Sequence, residues 1–281
     1  MSKRYALTLL LVLLAIILSA LPKNDWEVQG LKGKVQSVQT EDKTQYFNKA
    51  GYLLSEHYTY GEVFVNVSYY TYDKAGHLIS LETKDDSQNY AEGTYYTYNQ
   101  EGLLSEEKSN SWGYDQTIKY AYNDKKQIVW KKTYDDDEEL YEAVEYTYDK
   151  KGNKIKETHY NSDMQIKDYT AYSYDKKKCL LESRVYLDEN EMVSNIIYKY
   201  NARKQLIEET HFIGKALILT EQNSYDKKAN LTETVITYYG EDEHTITTAS
   251  YAYDTKGNWI TMAVSADEEH SQTSRRIISY F

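Results

Sequence analysis

The chain holds one proline and one cysteine in 281 residues. A single cysteine excludes an intramolecular disulfide and any Cys-x-x-Cys zinc frame. Cys179 follows a turn phrase, where it reads as a small apolar strand residue and not as a reactive thiol. The six histidines are scattered and make no His-Glu-x-x-His pair. His159 and His211 hold the same place two repeats apart, so they read as echoes of a repeat before they read as ligands. There is no phosphate-cradling glycine loop and no Gly-x-Ser-x-Gly elbow. The acid clusters lack the Asp-x-Asp-x-Asp-Gly frame of a calcium loop. We therefore expect no metal and no cofactor. Nothing singles out a pair of carboxylates for glycoside hydrolysis, although so acidic a chain holds many. Basic residues are outnumbered, 33 against 44, and the net charge of −11 argues against a nucleic-acid footprint. Four Phe and four Met stand beside 32 Tyr, and the mean hydropathy is −0.77. A thick aliphatic core is hard to assemble from this.

What the chain does have is a phrase repeated nine times. An aromatic is followed by Asp or Asn at Phe47, Tyr72, Tyr98, Tyr122, Tyr148, Tyr174, Tyr200, Tyr225 and Tyr253. With that aromatic as position zero, the spacing runs from 24 to 28 residues, the mark of a repeat array. Position four is Gly51, Gly76, Gly102, Gly152 and Gly257, but Lys126, Lys178, Lys204 and Ala229 in the other units. Position six is apolar except at Lys154.

The phrase reads as a tight turn. Asp or Asn accepts hydrogen bonds from backbone two residues on, and glycine takes a positive φ without a clash. The expected turn residues are Asp73, Gly76, Asp149, Gly152, Asp254 and Gly257. Units without glycine must use another turn or accept mild strain. Before each turn, alternation such as Tyr146-Thr147-Tyr148 puts the tyrosines on one face of a strand. A second strand leaves the turn and a distal loop returns it. The fold class expected is all-β, an antiparallel meander of about nine two-stranded units. Accumulated twist forbids a flat sheet of this width, so one curling sheet, superhelical or partly closed on itself, is expected. Tyrosine suits it, because its ring buries area while its hydroxyl stays solvated. Rows of cross-strand aromatic pairs would stitch it together.

Tyr70-Thr71-Tyr72-Asp73-Lys74-Ala75-Gly76-His77-Leu78 resembles the signature of the YD-repeat (Rhs-repeat) family, Tyr-x-Tyr-Asp-x-x-Gly-x-Leu. The resemblance covers about Val35 to Phe281. Large toxins of that family build a spiralling sheet that encloses a cargo, with a proline-containing core region and a C-terminal toxin, and neither is found here. The chain is closer to short exported YD-repeat proteins of bacterial envelopes. That resemblance implies export and says nothing of a reaction.

Residues 1–21 form the expected targeting segment. Lys3 and Arg4 precede a stretch from Tyr5 to Leu18 that is apolar apart from Thr8. The residues before Ala20 make a poor cleavage site, so a cleaved signal and an uncleaved anchor both stand. Residues 22–30 read as a linker, and 31–281 as one repeat domain with an opening strand as its cap. The expected location is exported: periplasmic, secreted or cell-surface, touching membrane only through residues 1–21.

Charge is sorted by edge. Positions one to four of the nine phrases hold 14 basic and 7 acidic residues. The distal loops are acidic, with Asp135 to Glu139, Glu241 to Glu243 and Asp267 to Glu269. Trp112, Trp130 and Trp259 are the candidate ligand-stacking residues, although packing within the sheet is the blander reading. The function this points to is a non-catalytic binding or scaffold module for a protein or glycan. An envelope hydrolase, or a relative of a toxin-enclosing shell, is the alternative.

Overall fold

A computed structural model describes residues 23–281 apart from 61–62, 86–90, 112, 188–190, 241–243 and 267–269. The targeting segment 1–21, Trp112 and two acid clusters, 241–243 and 267–269, lie outside the described residues. One short helix, α1 (Asp25–Val28), falls inside the stretch read as a linker. Strands β1 (Val35–Gln39), β2 (Lys43–Phe47), β3 (Leu53–Tyr60), β4 (Val63–Tyr72), β5 (Leu78–Asp85), β6 (Ala91–Tyr98) and β7 (Leu104–Ser111) follow. Then come β8 (Tyr114–Tyr122), β9 (Ile128–Tyr134), β10 (Leu140–Tyr148), β11 (Lys154–Tyr160), β12 (Ile166–Tyr174), β13 (Leu180–Tyr186) and β14 (Met192–Tyr200). The array ends with β15 (Leu206–Ile213), β16 (Ala216–Tyr225), β17 (Leu231–Tyr238), β18 (His244–Tyr253), β19 (Trp259–Ala266), β20 (His270–Arg275) and β21 (Ile277–Tyr280).

All 21 strands lie in one sheet, and every pairing from β1 to β20 is between sequence neighbours and antiparallel. β20 and β21 are one chain segment broken at Arg276. Its first half pairs with β19, and its second half crosses to pair antiparallel with β1. The meander is thereby closed into a barrel-like ring. Closure holds only at the turn edge, because β1 and β2 are five residues long. Among the described residues the outer edge of β20 faces no strand, which leaves one unsealed seam.

Each phrase makes the same turn. At the second phrase the Asp73 N–H donates to His77 O and the Gly76 N–H to Asp73 O, at 2.9 and 3.1 Å. Asp73 Oδ1 accepts from the N–H of Ala75 and of His77, at 2.8 and 2.9 Å. Asp149 and Asp254 repeat the pattern on residues 151, 153, 256 and 258. Gly76, Gly152 and Gly257 sit at φ +88°, +83° and +86°. Units without glycine do not switch turn. Lys126, Lys178, Lys204 and Ala229 hold φ of 61°, 66°, 63° and 71°. The Lys178 and Lys204 ammonium groups donate to the carbonyls of Lys151 and Lys177 in the preceding turns, which offsets part of the strain.

Beside every turn the ladder slips by one residue. Thr147 pairs with Lys156 but Tyr148 with Lys154, leaving Ile155 unpaired as a β-bulge. The same slip recurs at position zero of the other eight units. Bulges bend a strand and increase its twist, and nine of them in register bend the sheet the same way each time. This periodic bend is the local cause of closure.

The sheet has a thin core. Leu31, Val35, Val38, Phe47 and Leu53 form its buried apolar cluster, with Trp26, Tyr70, Ile278 and Tyr280 packed around it. The chain exposes 19698 Å², against roughly 12,500 Å² for an ordinary globular protein of this mass. A single-layer sheet with few fully buried side chains contributes to the excess.

Candidate functional site: the tyrosine and glutamate face

Alternation aligns position minus two of each unit with position zero, and tyrosine fills the first in seven units and the second in eight. Many of the hydroxyls bond within the sheet, where sequence alone suggested that they stay solvated. At position zero, Tyr98, Tyr122, Tyr148 and Tyr225 donate to the carbonyls of Leu78, Leu104, Ile128 and Leu206, at 2.8, 2.6, 2.8 and 2.7 Å. Each acceptor is position six of the preceding unit, the residue just before the bulge. The phrase tyrosine thus adds a side-chain donor at the carbonyl beside each of these bulges.

Position nine faces the same side. It is Glu56, Glu107, Glu157 and Glu209 in alternate units. Tyr70, Tyr120 and Tyr172 donate to the first three, at 2.6, 2.7 and 3.3 Å. Asn223 stands where the next tyrosine would reach Glu209, and His211 Nε2 lies 3.0 Å from that carboxylate in its place.

The densest group surrounds Glu157. It pairs with Lys154, and His159 Nε2 lies 3.0 Å from its Oε1. His159 Nδ1 lies 3.2 Å from Asp168 on β12. Lys154, the exception to the apolar position six, has its ammonium 5.4 Å from the ring centre of Tyr146 and 4.7 Å from that of Tyr172. Burial alone would raise the Glu157 pKa. Hydrogen bonds from Lys154 and His159 and their charges outweigh it and hold the carboxyl below its usual range. Glu56 is likewise held down, burial being outweighed by Tyr70, Lys43 and Tyr58. Where a carboxyl is displaced among the described residues, it is displaced downward. These groups are anions that accept hydrogen bonds, not the raised neutral acid that glycoside hydrolysis uses. Burial pushes Tyr146 up to about 12, with the Glu157 charge adding to it.

Of the predicted tryptophans, Trp130 and Trp259 lie on strands far apart in the sheet and do not come together. Trp130 on β9 is half-buried, 5.5 Å from the Tyr160 ring, with the Lys132 ammonium 5.2 Å away. Trp259 opens β19, and the Arg276 guanidinium lies 3.4 Å from its ring centre. Arg276 also donates twice to Trp259 O, at 2.9 and 2.7 Å, and so pins the break where the sheet closes. Cys179 is half-buried, its N–H held by Asp175 Oδ1 at 2.8 Å. Among the described residues no cluster of His, Cys, Asp and Glu is placed to hold a metal ion.

Three exposed tyrosines line up instead on the opposite face. Tyr46, Tyr69 and Tyr95 are 42%, 44% and 51% exposed. Ser55 stands opposite both Tyr46 and Tyr69, and Tyr95 faces Ser80 two strands further on. The stripe therefore steps across alternate strands, about 10 Å apart. Sequence reading passed over these residues because they occupy the odd positions of the alternation, away from the phrase row. Hollows of about 410 and 450 Å³ lie between successive turns, one at Asn48 and Asp73, the other at Asn201 and Asp226.

No family profile and no characterised protein matches the sequence. One solved structure shares the fold, and others align more loosely. The crystal structure of TcdB2-TccC3 aligns with 84% of this chain at 15% identity and a TM-score of 0.50. The chain spans only 14% of the length of that protein. The TcdB2-TccC3-Cdc42 complex aligns with 84% at 12% identity and a TM-score of 0.38. A porin-like protein from Bacteroides uniformis ATCC 8492 aligns with 88% at 12% identity and a TM-score of 0.42, over 98% of its own length.

Proposed function

We propose that this chain is an exported YD-repeat protein, a non-catalytic binding or scaffold module that holds a protein or glycan at the bacterial cell envelope. The observation that carries this reading is the division of labour between the two faces. Carboxylates and hydroxyls of the phrase face are tied into the sheet, while the opposite face offers the stripe of Tyr46, Tyr69 and Tyr95 to a ligand. Stacked rings and stepwise platforms suit sugar rings or an extended peptide. The test is a glycan array and an envelope pull-down run with the full chain and with Tyr46→Ser, Tyr69→Ser and Tyr95→Ser combined. Capture by the parent and at least a tenfold loss in the variant are expected. Failure of both screens to find a ligand, or equal capture by the variant, would sink the proposal. Closure of the sheet favours a second reading, a relative of a toxin-enclosing shell. A polypeptide held inside the ring, seen as added mass in native mass spectrometry, would distinguish it.

A further inference from the structure

All nine phrase turns lie on one edge of the ring, because each unit adds two antiparallel strands. That edge carries 14 basic residues against 7 acidic ones. Five of the acids, Asp73, Asp149, Asp175, Asp226 and Asp254, accept backbone hydrogen bonds inside their own turns. Lys150, Lys151, Lys176, Lys177 and Lys227 are exposed. The distal edge is the acidic one, and eight-residue strands put it about 20–25 Å away. At physiological salt the screening length is about 8 Å, so distal acids do not cancel the basic rim at short range.

The N-terminal segment leaves the ring at this same rim. Asn24 Nδ2 donates to Ala50 O at 2.8 Å, and the Trp26 N–H to Gly51 O at 3.2 Å, both in the first turn. Lys32 is fastened to the ninth turn through Asn258. Residue 24 therefore sits on the basic edge, and the apolar stretch from Tyr5 to Leu18 in the sequence is joined to it through Pro22 and Lys23.

We propose that the turn edge is a membrane-facing surface, on which the ring stands against anionic phospholipid with its acidic loops turned away. Clustered lysines beside an apolar segment are drawn to anionic headgroups, and the exit point and the charge pick out the same edge independently. The proposal rests on residues 1–21 staying attached at least until the ring reaches the membrane.

The test uses the full chain on vesicles of phosphatidylcholine with and without phosphatidylglycerol. In a Cys179→Ser background, a fluorophore is placed either at Thr255→Cys in the ninth turn or at Asp163→Cys in a distal loop. Nitroxide on the lipid headgroups should quench the Thr255 probe at least fivefold more than the Asp163 probe, only on anionic vesicles, and the difference should vanish at high salt. Lys150→Glu, Lys177→Glu and Lys227→Glu together should abolish it while the far-ultraviolet dichroism is unchanged. Equal quenching of both probes, or quenching indifferent to anionic lipid, would overturn the orientation. A chain that stays off both kinds of vesicle would instead overturn the attachment of residues 1–21. Competition by a soluble polyanion without any vesicle quenching would assign the rim to a different ligand and reject the membrane.

Discussion

At the scale of single residues, the tyrosine hydroxyl is the group that explains the phrase. Phenylalanine would bury the same ring, yet position zero is tyrosine in eight of nine units. In four of them its hydroxyl bonds the position-six carbonyl beside the bulge of the unit before. Tyr148→Phe leaves Ile128 O without that donor and should cost about 1 kcal/mol in chemical denaturation. Tyr95→Phe, on the exposed face, should cost close to nothing. Alkaline pH tests the same chemistry collectively. Burial, the leading cause in each case, pushes Tyr58, Tyr98, Tyr146 and Tyr200 up to about 12. A raised pKa means the folded state holds the proton more tightly than the unfolded chain, whose tyrosines titrate near 10. The associated stability is complete below pH 10 and is lost between about 10 and 12. Absorbance at 295 nm should show these tyrosines ionising together with loss of the sheet signal. A simple titration near 10 with the fold intact would contradict the buried row.

At the scale of the hairpin, turn and bulge work as one device. The turn was legible in the sequence, because Asp or Asn followed by glycine at a fixed offset has few other solutions. The bulge was not. It depends on pairing between strands, and Ile155 or Leu181 carries no local mark of being the unpaired residue. The alternate glutamates were equally hidden, since Glu56 and Glu157 differ from surface acids only through the tyrosines that reach them from the adjacent strand. Three substitutions separate the contributions within the turn. Gly76 has a positive φ, and a Cβ there would come within 2.1 Å of the Tyr52 hydroxyl. Gly76→Ala should therefore destabilise by about 2–4 kcal/mol, strain and clash combined. Ala229→Gly relieves a left-handed alanine and should stabilise by about 0.5–1 kcal/mol. Lys178→Gly should gain less, because it also removes the bond to Lys151 O. Melting temperatures of the three variants give the order directly.

At the scale of the molecule, closure depends on a few bonds, two of them between Lys32 and Asn258, 226 apart in sequence. Asn258 accepts from the Lys32 N–H at 2.7 Å and donates to Lys32 O at 2.8 Å and to the Tyr280 hydroxyl at 2.8 Å. Asp25 accepts from the Leu53 N–H at 2.7 Å and from the Tyr72 hydroxyl at 3.1 Å. Curling of the sheet followed from twist and was foreseeable, but its circumference was not, because it is set where the ends meet. Asn258→Ala removes three of the fastening bonds and should cost about 2–3 kcal/mol. Amide exchange should quicken first in β1, β20 and β21, with the middle of the array protected. Uniform acceleration across all strands would show that the ring opens only by global unfolding.

That fastening also has a hereditary side. An open solenoid tolerates gain or loss of a module at either end, since each copy touches only its neighbours. A hoop whose first and last segments must clasp has no such latitude. Here the copy number itself is locked, and duplication within the gene would leave a hoop too wide for its own buckle.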